Sequence, residues 1–323
     1  MLHRAAALLL AAVASCGPAI AQPAAFPQRP ITIVAAFPPG GGADSVARLM
    51  SPKLSKLLGQ AVVVDNKPGA SGNIASEYVV HASPDGHTLL LNNNTLSINA
   101  SLGFKQSFNV QRDLKPIAAV ASTPIVIAVN SSLPVHNVAE LVAYAKGLNG
   151  KANYSSCGNG TAQHFTGVRF TSATKVEMAH IPYRGCAPAI VDGLSGLVPV
   201  LFNTVPNLDA HVQAGKLRYI AVASTKRLPF RPDLPTIAET PGLNGFEAEV
   251  WFGLFAPAST PKEVAQRLER DVIAAMADKE LQQGFADRLI STRVLNAEQF
   301  QKQIAADLVD WKRLADQFNV KVD

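Results

Sequence analysis

The stretch that decides the fold reads Ile31-Thr32-Ile33-Val34-Ala35-Ala36-Phe37-Pro38-Pro39-Gly40-Gly41-Gly42-Ala43-Asp44-Ser45. Its first half is apolar almost throughout and rich in β-branched side chains, which predicts a buried strand over 31–37. Prolines and glycines end that strand. Apolar residues then recur at helical spacing from Val46 to Gly59, where the glycine predicts the end of the helix. Pro52 lies inside this helix and is expected to kink or split it.

The same alternation of strand and helix continues over the first hundred residues. A second strand is predicted over 62–64, a turn follows over 66–69, and Ser71 is expected to cap a helix that ends near His81. A third strand is predicted over 88–91. Strands that alternate with helices in this way build a parallel sheet covered by helices, so this part of the chain predicts one α/β unit.

Two later segments have the apolar, strand-like character expected of segments that cross between domains. Residues 116–130 are too long and too evenly apolar for one ordinary strand, with Pro124 in the middle, and residues 249–256 are again strand-like. Two crossings predict one domain inserted into another and joined to it by a hinge. The predicted signal segment is 1–21, the first lobe 22–123 plus 250–323, and the inserted lobe 124–249.

A second α/β series is predicted between and after the crossings. Its strands are expected at 152–155, 178–182, 198–202 and 218–223, and its helices at 137–148, from Thr161, from Ala187, at 208–214 and after Pro261. The last helix carries one apolar face, formed by Phe300, Ile304, Leu308, Trp311, Leu314 and Phe318.

The N-terminus has the pattern of a secretory signal peptide. His3 and Arg4 precede ten residues that are all Ala, Leu or Val, and Ala19-Ile20-Ala21 offers small residues for cleavage after Ala21. The apolar run is shorter than the roughly 20 residues that span a bilayer. The alternative is a lipoprotein in which Cys16 is lipidated. Cleavage after Ala21 is favoured because its site is better formed, which predicts an exported, periplasmic protein.

Composition and charge exclude several classes. Of the 323 residues 48% are hydrophobic and only 16% are charged, which excludes a disordered chain. Lys plus Arg exceed Asp plus Glu by 29 − 24 = 5, but the excess is dispersed, so no nucleic-acid partner is predicted. No catalytic, metal or cofactor motif stands out, and Gly40-x-Gly42-x-x-Ser45 is only a near miss to a dinucleotide fingerprint. An exported enzyme is therefore the disfavoured alternative, and neither a cofactor nor a metal is predicted.

Cys157 and Cys186 are the cysteines that remain after removal of the signal segment. Each follows one of two neighbouring predicted strands, and loops after parallel strands meet at the same sheet edge. The two residues could therefore approach the roughly 5.5 Å between Cα atoms that a disulfide needs. In an oxidising compartment this favours a disulfide over two buried free thiols.

Three loops share one arrangement, in which a strand ends in glycine and small polar residues just before a helix begins. They are 37–45, 155–161 and 183–187. Glycines allow a ligand close to the backbone, and the unpaired N–H groups of a helix start attract an anion. A carboxylate is the ligand that this chemistry favours.

Six motifs together resemble a known family. They are Phe-Pro-Pro-Gly-Gly-Gly-Ala-Asp at 37–44, Asp-Asn-Lys-Pro-Gly-Ala-Ser-Gly at 65–72, Ser-Pro-Asp-Gly-His-Thr-Leu-Leu at 83–90, Ser-Cys-Gly-Asn-Gly-Thr at 156–161, Pro-Tyr-Arg-Gly-Cys-Ala-Pro-Ala at 182–189 and Gly-Leu-Phe-Ala-Pro at 253–257. In this order the chain resembles the Bug receptors, periplasmic solute-binding proteins of the tripartite tricarboxylate transporter class.

The resemblance implies a type II periplasmic binding protein fold, in which two α/β lobes are joined by two crossover segments around a ligand cleft. The implied function is capture of a small carboxylate or dicarboxylate for delivery to membrane transporter subunits, by a monomer. A sensor that reports its ligand to a signalling partner would use the same fold. The implied ligand-binding residues are Phe37, Gly42, Ala43, Asp44, Asn93, Thr95, Gly158, Asn159, Gly160, Thr161, Tyr183 and Asn203.

Some of these residues have alternative interpretations. Many members of the family have Asp at the position of Asn203, where a carboxylate could hold a ligand amine, so Asn203 favours an acid without an amine. Asp44 is equally explained as a first-turn acid that the helix dipole favours. For Arg184 a solvated rim position is favoured over a ligand ion pair, and for His164 half-buried packing is favoured over catalysis.

Overall fold

The computed structural model describes residues 26–104, 106–228, 230–318 and 320. The predicted signal peptide and its lipidation alternative at Cys16 lie outside these residues. The strands are β1 (Ile31–Ala35), β2 (Val62–Asn66), β3 (Thr88–Asn93), β4 (Leu114–Asn130), β5 (Ala152–Ser156), β6 (Met178–Pro182), β7 (Val200–Thr204), β8 (Leu217–Val222), β9 (Glu249–Pro257) and β10 (Ser291–Leu295).

The helices alternate with these strands through most of the chain. They are α1 (Gly42–Leu58), α2 (Asn73–Val80), α3 (Thr95–Ser101), α4 (Val110–Asp113), α5 (Val138–Gly147), α6 (Ala162–Thr174), α7 (Cys186–Ser195), α8 (Val205–Gln213), α9 (Lys262–Met276), α10 (Lys279–Ala286) and α11 (Ala297–Gln317). Short 3₁₀ turns form over Ala70–Gly72 and Ile237–Glu239.

The strands pair in the order β2-β1-β3-β9-β4-β7-β5-β6, with β10 and β8 as further partners of β4. The strand pairs β1–β2, β1–β3, β5–β6 and β5–β7 are parallel, as the alternation of strand and helix predicts. Strand β9 runs antiparallel to both β3 and β4. The long strand β4 therefore connects two α/β halves of one sheet.

The partners of β4 change at Pro124. Residues from Leu114 to Pro124 pair with β9, and residues from Ile125 onward pair with β7 and β8. The Ile125 N–H donates to the Ala248 carbonyl oxygen at 3.1 Å, at the residue before β9 begins. The two predicted crossing segments are therefore β4 and the start of β9, lying side by side.

Helices pack on both faces of the first half of the sheet because side chains of β1 alternate between the faces. Ile31 and Ile33 are buried in one core cluster with Val46 and Met50 of α1, and Val34 is buried in the other with residues of α2. Apolar burial on each face holds the helices to the sheet.

The expectation that Pro52 splits the first helix is wrong, while a kink at this residue stays a prediction. Helix α1 runs from Gly42 to Leu58 without interruption and ends at Gly59, whose φ is 69°. Pro52 is exposed, so the carbonyl left without a donor faces water, while Met50 and Leu54 on either side are buried. Burial of that apolar face outweighs the lost hydrogen bond.

The predicted capping role of Ser71 is also wrong. Gly72 precedes α2, and Ser71 lies in the left-handed region with φ 52°. Its hydroxyl instead donates to the Asn159 carbonyl oxygen, 3.3 Å away in the other half of the molecule. Four further elements were not predicted, α3, α4, α10 and β10. Strand β7 begins two residues later than expected because Pro199 has no N–H for the ladder.

Candidate functional site

A cavity of about 370 Å³ lies between the two halves of the sheet. Its first wall is the loop from Phe37 to Ala43, together with Asn93 at the end of β3 and Val250 and Phe252 of β9. Its second wall is formed by Cys157, Gln163, Arg184, Gly185, Cys186, Ala187, Pro188, Ile190, Thr204, Pro206 and Asn207. The cavity therefore lies at the carboxyl ends of the parallel strands, where open α/β sheets place ligands.

The start of α1 leaves backbone donors unused on this cavity. Gly41 is the N-cap residue and has no side chain to accept a hydrogen bond. The N–H groups of Gly42 and Ala43 have no acceptor among the described residues, and both residues line the cavity. A Cβ on Gly42 would lie 2.7 Å from the ring of Phe252, so the glycine lets this aromatic side chain reach the backbone.

Asp44 stabilises the same loop through hydrogen bonds to its carboxylate. Its Oδ2 accepts the Gly40 N–H at 3.0 Å, and its Oδ1 accepts Nε of Arg48 at 2.9 Å. Burial acts to raise the pKa of Asp44, but the hydrogen bonds from Arg48, Gly40 and Asn66 outweigh it and hold the pKa below its usual value. Asp44 is buried and does not line the cavity, and its role as a ligand contact stays a prediction.

Two helices of the second half also begin at the cavity without a side-chain cap. They are α7, after Gly185, and α8, after Thr204. Helices that start elsewhere, such as α5 and α11, are capped by Asn137 and Asn296. Helices α2, α3 and α9 are uncapped as well, so the convergence of α1, α7 and α8 on one cavity is the distinguishing feature. It brings the positive ends of three helix dipoles together.

The predicted disulfide between Cys157 and Cys186 is confirmed, with 4.2 Å between the Cα atoms. It lies in the cavity wall and joins the loop after β5 to the first residue of α7. The Gly185 N–H donates to the Cys157 carbonyl oxygen at 3.0 Å beside it. The bond therefore fixes the start of α7 against the neighbouring strand end.

The 156–161 loop uses most of its N–H groups within itself. The Gly158 N–H donates to Ser156 Oγ at 3.2 Å, and the Gly160 N–H donates to His164 Nδ1 at 3.3 Å. Thr161 caps α6 by accepting the His164 N–H. Gly158, Asn159, Gly160 and Thr161 do not line the cavity, and their assignment as ligand contacts stays a prediction.

Two stacked imidazoles support this loop. The rings of His164 and His180 lie 3.9 Å apart, and Tyr154 stacks on the far side of His180 at 5.1 Å. Nε2 of His180 lies 2.7 Å from Ser156 Oγ. Burial lowers the pKa of His164 to about 4, and burial and the neighbouring His164 lower that of His180 to about 3, so both rings are neutral at pH 7.

The remaining predicted site residues differ in whether they line the cavity. Phe37 and Asn93 line it. Thr95 is buried and donates its N–H to Asn93 Oδ1 at 2.9 Å. Tyr183 donates its hydroxyl hydrogen to Asp192, away from the cavity. Asn203 is buried behind the wall and does not line the cavity.

Several residues of the cavity lining had no direct signal in the sequence. Val250 and Phe252 belong to a strand whose crossing was predicted but whose alternate side chains were not assigned to the site. Gln163, Ile190 and Asn207 each lie within the first turns of a helix that begins at the cavity. The sequence placed these residues near the start of a helix, but it did not show that their side chains line the cavity.

Arg184 is the one ionisable residue in the cavity lining within the described part of the chain. It is exposed and forms no ion pair with another described residue. No acidic side chain lines the cavity there, and the described residues contain no group of three His, Cys, Asp or Glu placed for a metal ion. Nor does any described helix have the length and apolar character needed to cross a membrane. Arg184 and the helix starts therefore give the described lining a positive electrostatic character beside its apolar side chains.

A two-part α/β sheet joined by crossing strands, with a cavity at the facing strand ends, defines a solute-binding protein of the periplasmic type. The family model for the tripartite tricarboxylate transporter family receptor matches residues 46–320, and the chain belongs to this family.

Individual relatives agree with this assignment. A UPF0065 protein encoded in the tcbD-tcbE intergenic region of Pseudomonas sp. (strain P51) is 34% identical over 93% of this chain and 89% of the relative. The periplasmic binding protein BugD superposes with a TM-score of 0.85 and 33% identity over 92% of this chain and 99% of its own. Rpa4515 of R. palustris, solved with adipate, superposes with a TM-score of 0.88 and 30% identity over 92% and 99%.

Proposed function

We propose that this receptor captures a small carboxylate in the cavity between its two halves and delivers it to a membrane transporter, without catalysing a reaction. The observation that carries the proposal is the cavity lining, which combines Arg184 with the uncapped starts of α1, α7 and α8 and contains no acidic residue among those described. The solved relative that holds adipate supports the same class of ligand.

The hydrogen bonds available in the cavity account for the binding free energy of a carboxylate without further cationic side chains. A hydrogen bond to a charged group contributes about 1.5–3 kcal/mol net. The N–H groups of Gly42, Ala43, Cys186 and Ala187, together with Arg184, provide five charge-assisted contacts. At about 7.5–15 kcal/mol their sum matches or exceeds the roughly 8 kcal/mol of micromolar affinity, and the surplus offsets part of the lost freedom of the ligand.

The proposed lobes are 22–123 plus 250–323 and the inserted 124–249. The change of partners in β4 at Pro124 and the start of β9 at Glu249 support these boundaries. Because donors of both halves face one cavity, a bound carboxylate stabilises the closed arrangement over the open one. Binding and lobe closure are then one equilibrium.

A ligand screen tests the binding function. The mature chain is heated with aliphatic and aromatic mono-, di- and tricarboxylates, and the hits are titrated by calorimetry. We expect carboxylates to raise the Tm and to bind with micromolar or tighter Kd, because a ligand of the folded state stabilises it by mass action. Neutral sugars and amines serve as controls. A response confined to those controls would remove the carboxylate assignment.

The transport role and the export site are tested in cells. Deletion of the gene should abolish uptake of the radiolabelled ligand and leave transcription induced by that ligand unchanged, whereas a sensor would show the reverse. Mass spectrometry of the exported protein should find an N-terminus at Gln22, as cleavage after Ala21 requires. A diacylglyceryl group on Cys16 would contradict the cleavage site and leave the binding function intact.

A further inference from the structure

We propose that the cavity selects carboxylates with an apolar hydrocarbon body, aliphatic or aromatic, and excludes those that carry an ammonium group. This inference rests on the proposed function and narrows it. Its basis is the distribution of charge and apolar surface around the cavity.

The wall that faces a ligand body is apolar on both sides. Phe37, Ala43, Val250 and Phe252 contribute it from the first half, and Ile190 contributes it from α7. Val250 and Phe252 are each only 3% exposed in the absence of a ligand, so the free energy gained on binding comes mainly from the ligand's own hydrocarbon surface. That surface contributes about 25 cal/mol for each Å² removed from water.

The lining offers no counter-charge for an ammonium group. No acidic residue is among the described residues of the lining. Two acidic residues, Asp209 and Asp287, line an adjoining groove that shares residues of the α1 and α8 starts with the cavity. The Asp209 carboxylate pairs with Arg231 at 2.9 Å, and Asp287 Oδ1 accepts Nε2 of Gln283 at 2.7 Å. An ammonium held near Arg184 and three positive helix ends would therefore lose its hydration without gaining a partner.

Asn203 does not supply the missing acceptor. Its Oδ1 accepts the Thr204 N–H at 2.8 Å and Nδ2 of Asn207 at 2.9 Å. Asn203 is 1% exposed, and its Oδ1 positions Asn207 and the start of α8 and is not left over as an acceptor for an ammonium group. The amide therefore contributes to the shape of the wall.

The volume limits the size of the ligand. With about 30 Å³ for each water-sized group, a cavity of about 370 Å³ holds about a dozen non-hydrogen atoms. Adipate, hexanoate and benzoate fall below this limit.

Calorimetry with matched ligand pairs tests the selection. Hexanoate is compared with 6-aminohexanoate, and adipate with 2-aminoadipate and with 3-hydroxyadipate, which has the same number of non-hydrogen atoms as 2-aminoadipate. We expect the added ammonium to weaken binding at least 100-fold and the hydroxylated body to weaken it at least tenfold. Equal affinity within the pairs would overturn the inference and leave the proposed function standing. Failure of every carboxylate to bind would overturn the proposed function itself.

A charge placed in the wall should reverse the selection. Ile190→Asp puts a carboxylate on the lining, whereas Val191→Asp puts it on the adjacent residue of α7, which is 63% exposed and does not line the cavity. We expect Ile190→Asp to lose most affinity for hexanoate and to gain affinity for 6-aminohexanoate, with Val191→Asp binding like the unmodified protein.

Asn207→Asp is the second variant and is used if Ile190→Asp does not fold. It keeps the size of the side chain and adds only the charge. The same gain for the amino ligand is expected. If neither folded variant shifts the ratio of the two affinities, the inference is wrong.

Discussion

Gly42 controls how closely the first loop approaches β9. A methyl group there would lie 2.7 Å from the Phe252 ring, which is buried against it. We expect Gly42→Ala to displace this ring into the cavity and to weaken binding of adipate at least tenfold. The cost in the free energy of unfolding should be about 1–3 kcal/mol, the usual range for overpacking. Calorimetry and urea titration measure both.

Gly41→Ala is the matched control for this change. Gly41 has φ −81°, which alanine adopts freely, and its added methyl group would meet only the Pro38 carbonyl oxygen at 3.4 Å. Because Gly41 also lines the cavity and precedes α1, we expect a small loss of affinity and stability, well below that of Gly42→Ala. If both variants weaken binding equally, the contact with Phe252 is not the cause.

The stacked histidines predict how stability depends on pH. In the folded protein the pKa values of His164 and His180 are lowered to about 4 and about 3 from 6.5. The unfolded chain therefore binds more protons than the folded chain between these values. The free energy of unfolding should be fully retained above about pH 6.5 and should fall as the pH drops from 6.5 toward 4. Urea titrations at several pH values measure this slope.

His164→Gln separates the titration from the hydrogen bond. Glutamine offers the Gly160 N–H an acceptor but has no charge to gain. We expect a shallower loss of stability between pH 6.5 and 4 than in the unmodified protein. An unchanged slope would show that this imidazole does not titrate as described.

At the scale of elements, the disulfide joins two strand ends and closes a loop with a sequence separation of 29 residues. The chain-entropy model gives roughly 3–4 kcal/mol for a loop of this length. We expect Cys186→Ser to lower the Tm accordingly and to weaken ligand binding, because the start of α7 is no longer held to β5. Differential scanning calorimetry and titration measure the two effects.

Reductant provides the control for this prediction. It should lower the Tm of the unmodified protein to that of Cys186→Ser and leave the Tm of the variant unchanged. A variant that binds with full affinity would show that the bond stabilises the fold without positioning α7.

The sequence predicts most elements because their patterns are local. The strand over 31–37, the helix that follows it and the long crossing segment are each visible in apolar periodicity and glycine position. Strand β10 was missed because only five residues form it and its partner is distant in the chain. The continuity of α1 through Pro52 depends on which side of the helix faces water, and this depends on tertiary packing.

For the site, the sequence predicts the arrangement of strand end, glycine-rich loop and helix start more reliably than it predicts which groups contact the ligand. Unpaired amides do occur at Gly42 and Ala43, as the loop pattern predicts. In the 156–161 loop the same pattern leads to amides bonded within the loop, because Ser156 and His164 supply acceptors from positions that the glycine pattern does not reveal. Side-chain direction therefore limits what the pattern can predict.

At the scale of the whole molecule, the two halves are held together by a polar contact beside the cavity. Ser71 Oγ donates to the Asn159 carbonyl oxygen at 3.3 Å, and Nδ2 of Asn99 donates to the Ser71 carbonyl oxygen at 3.0 Å. We expect Ser71→Ala to favour the open arrangement and to raise the Kd of adipate about three- to tenfold, since a hydrogen bond contributes about 0.5–1.5 kcal/mol. Calorimetry measures the affinity, and small-angle scattering measures the radius of gyration.

Ser101→Ala is the control, because the Ser101 hydroxyl donates within the first half, to Ser97 and Leu308. Its removal should leave the ligand affinity and the radius of gyration unchanged. Equal effects from both serines would show that the contact with Asn159 does not favour closure.

Strand β9 separates the cavity from a charged groove on its other face. Val250 and Phe252 point to the cavity, whereas Glu249 and Trp251 line the groove together with Asp307. One extra residue inserted just ahead of Glu249 would shift the pleat by one position and turn both the Glu249 carboxylate and the Trp251 indole toward the bound acid. The number of residues leading into this strand therefore fixes the sign of the charge that a ligand meets, although none of those preceding residues touches it.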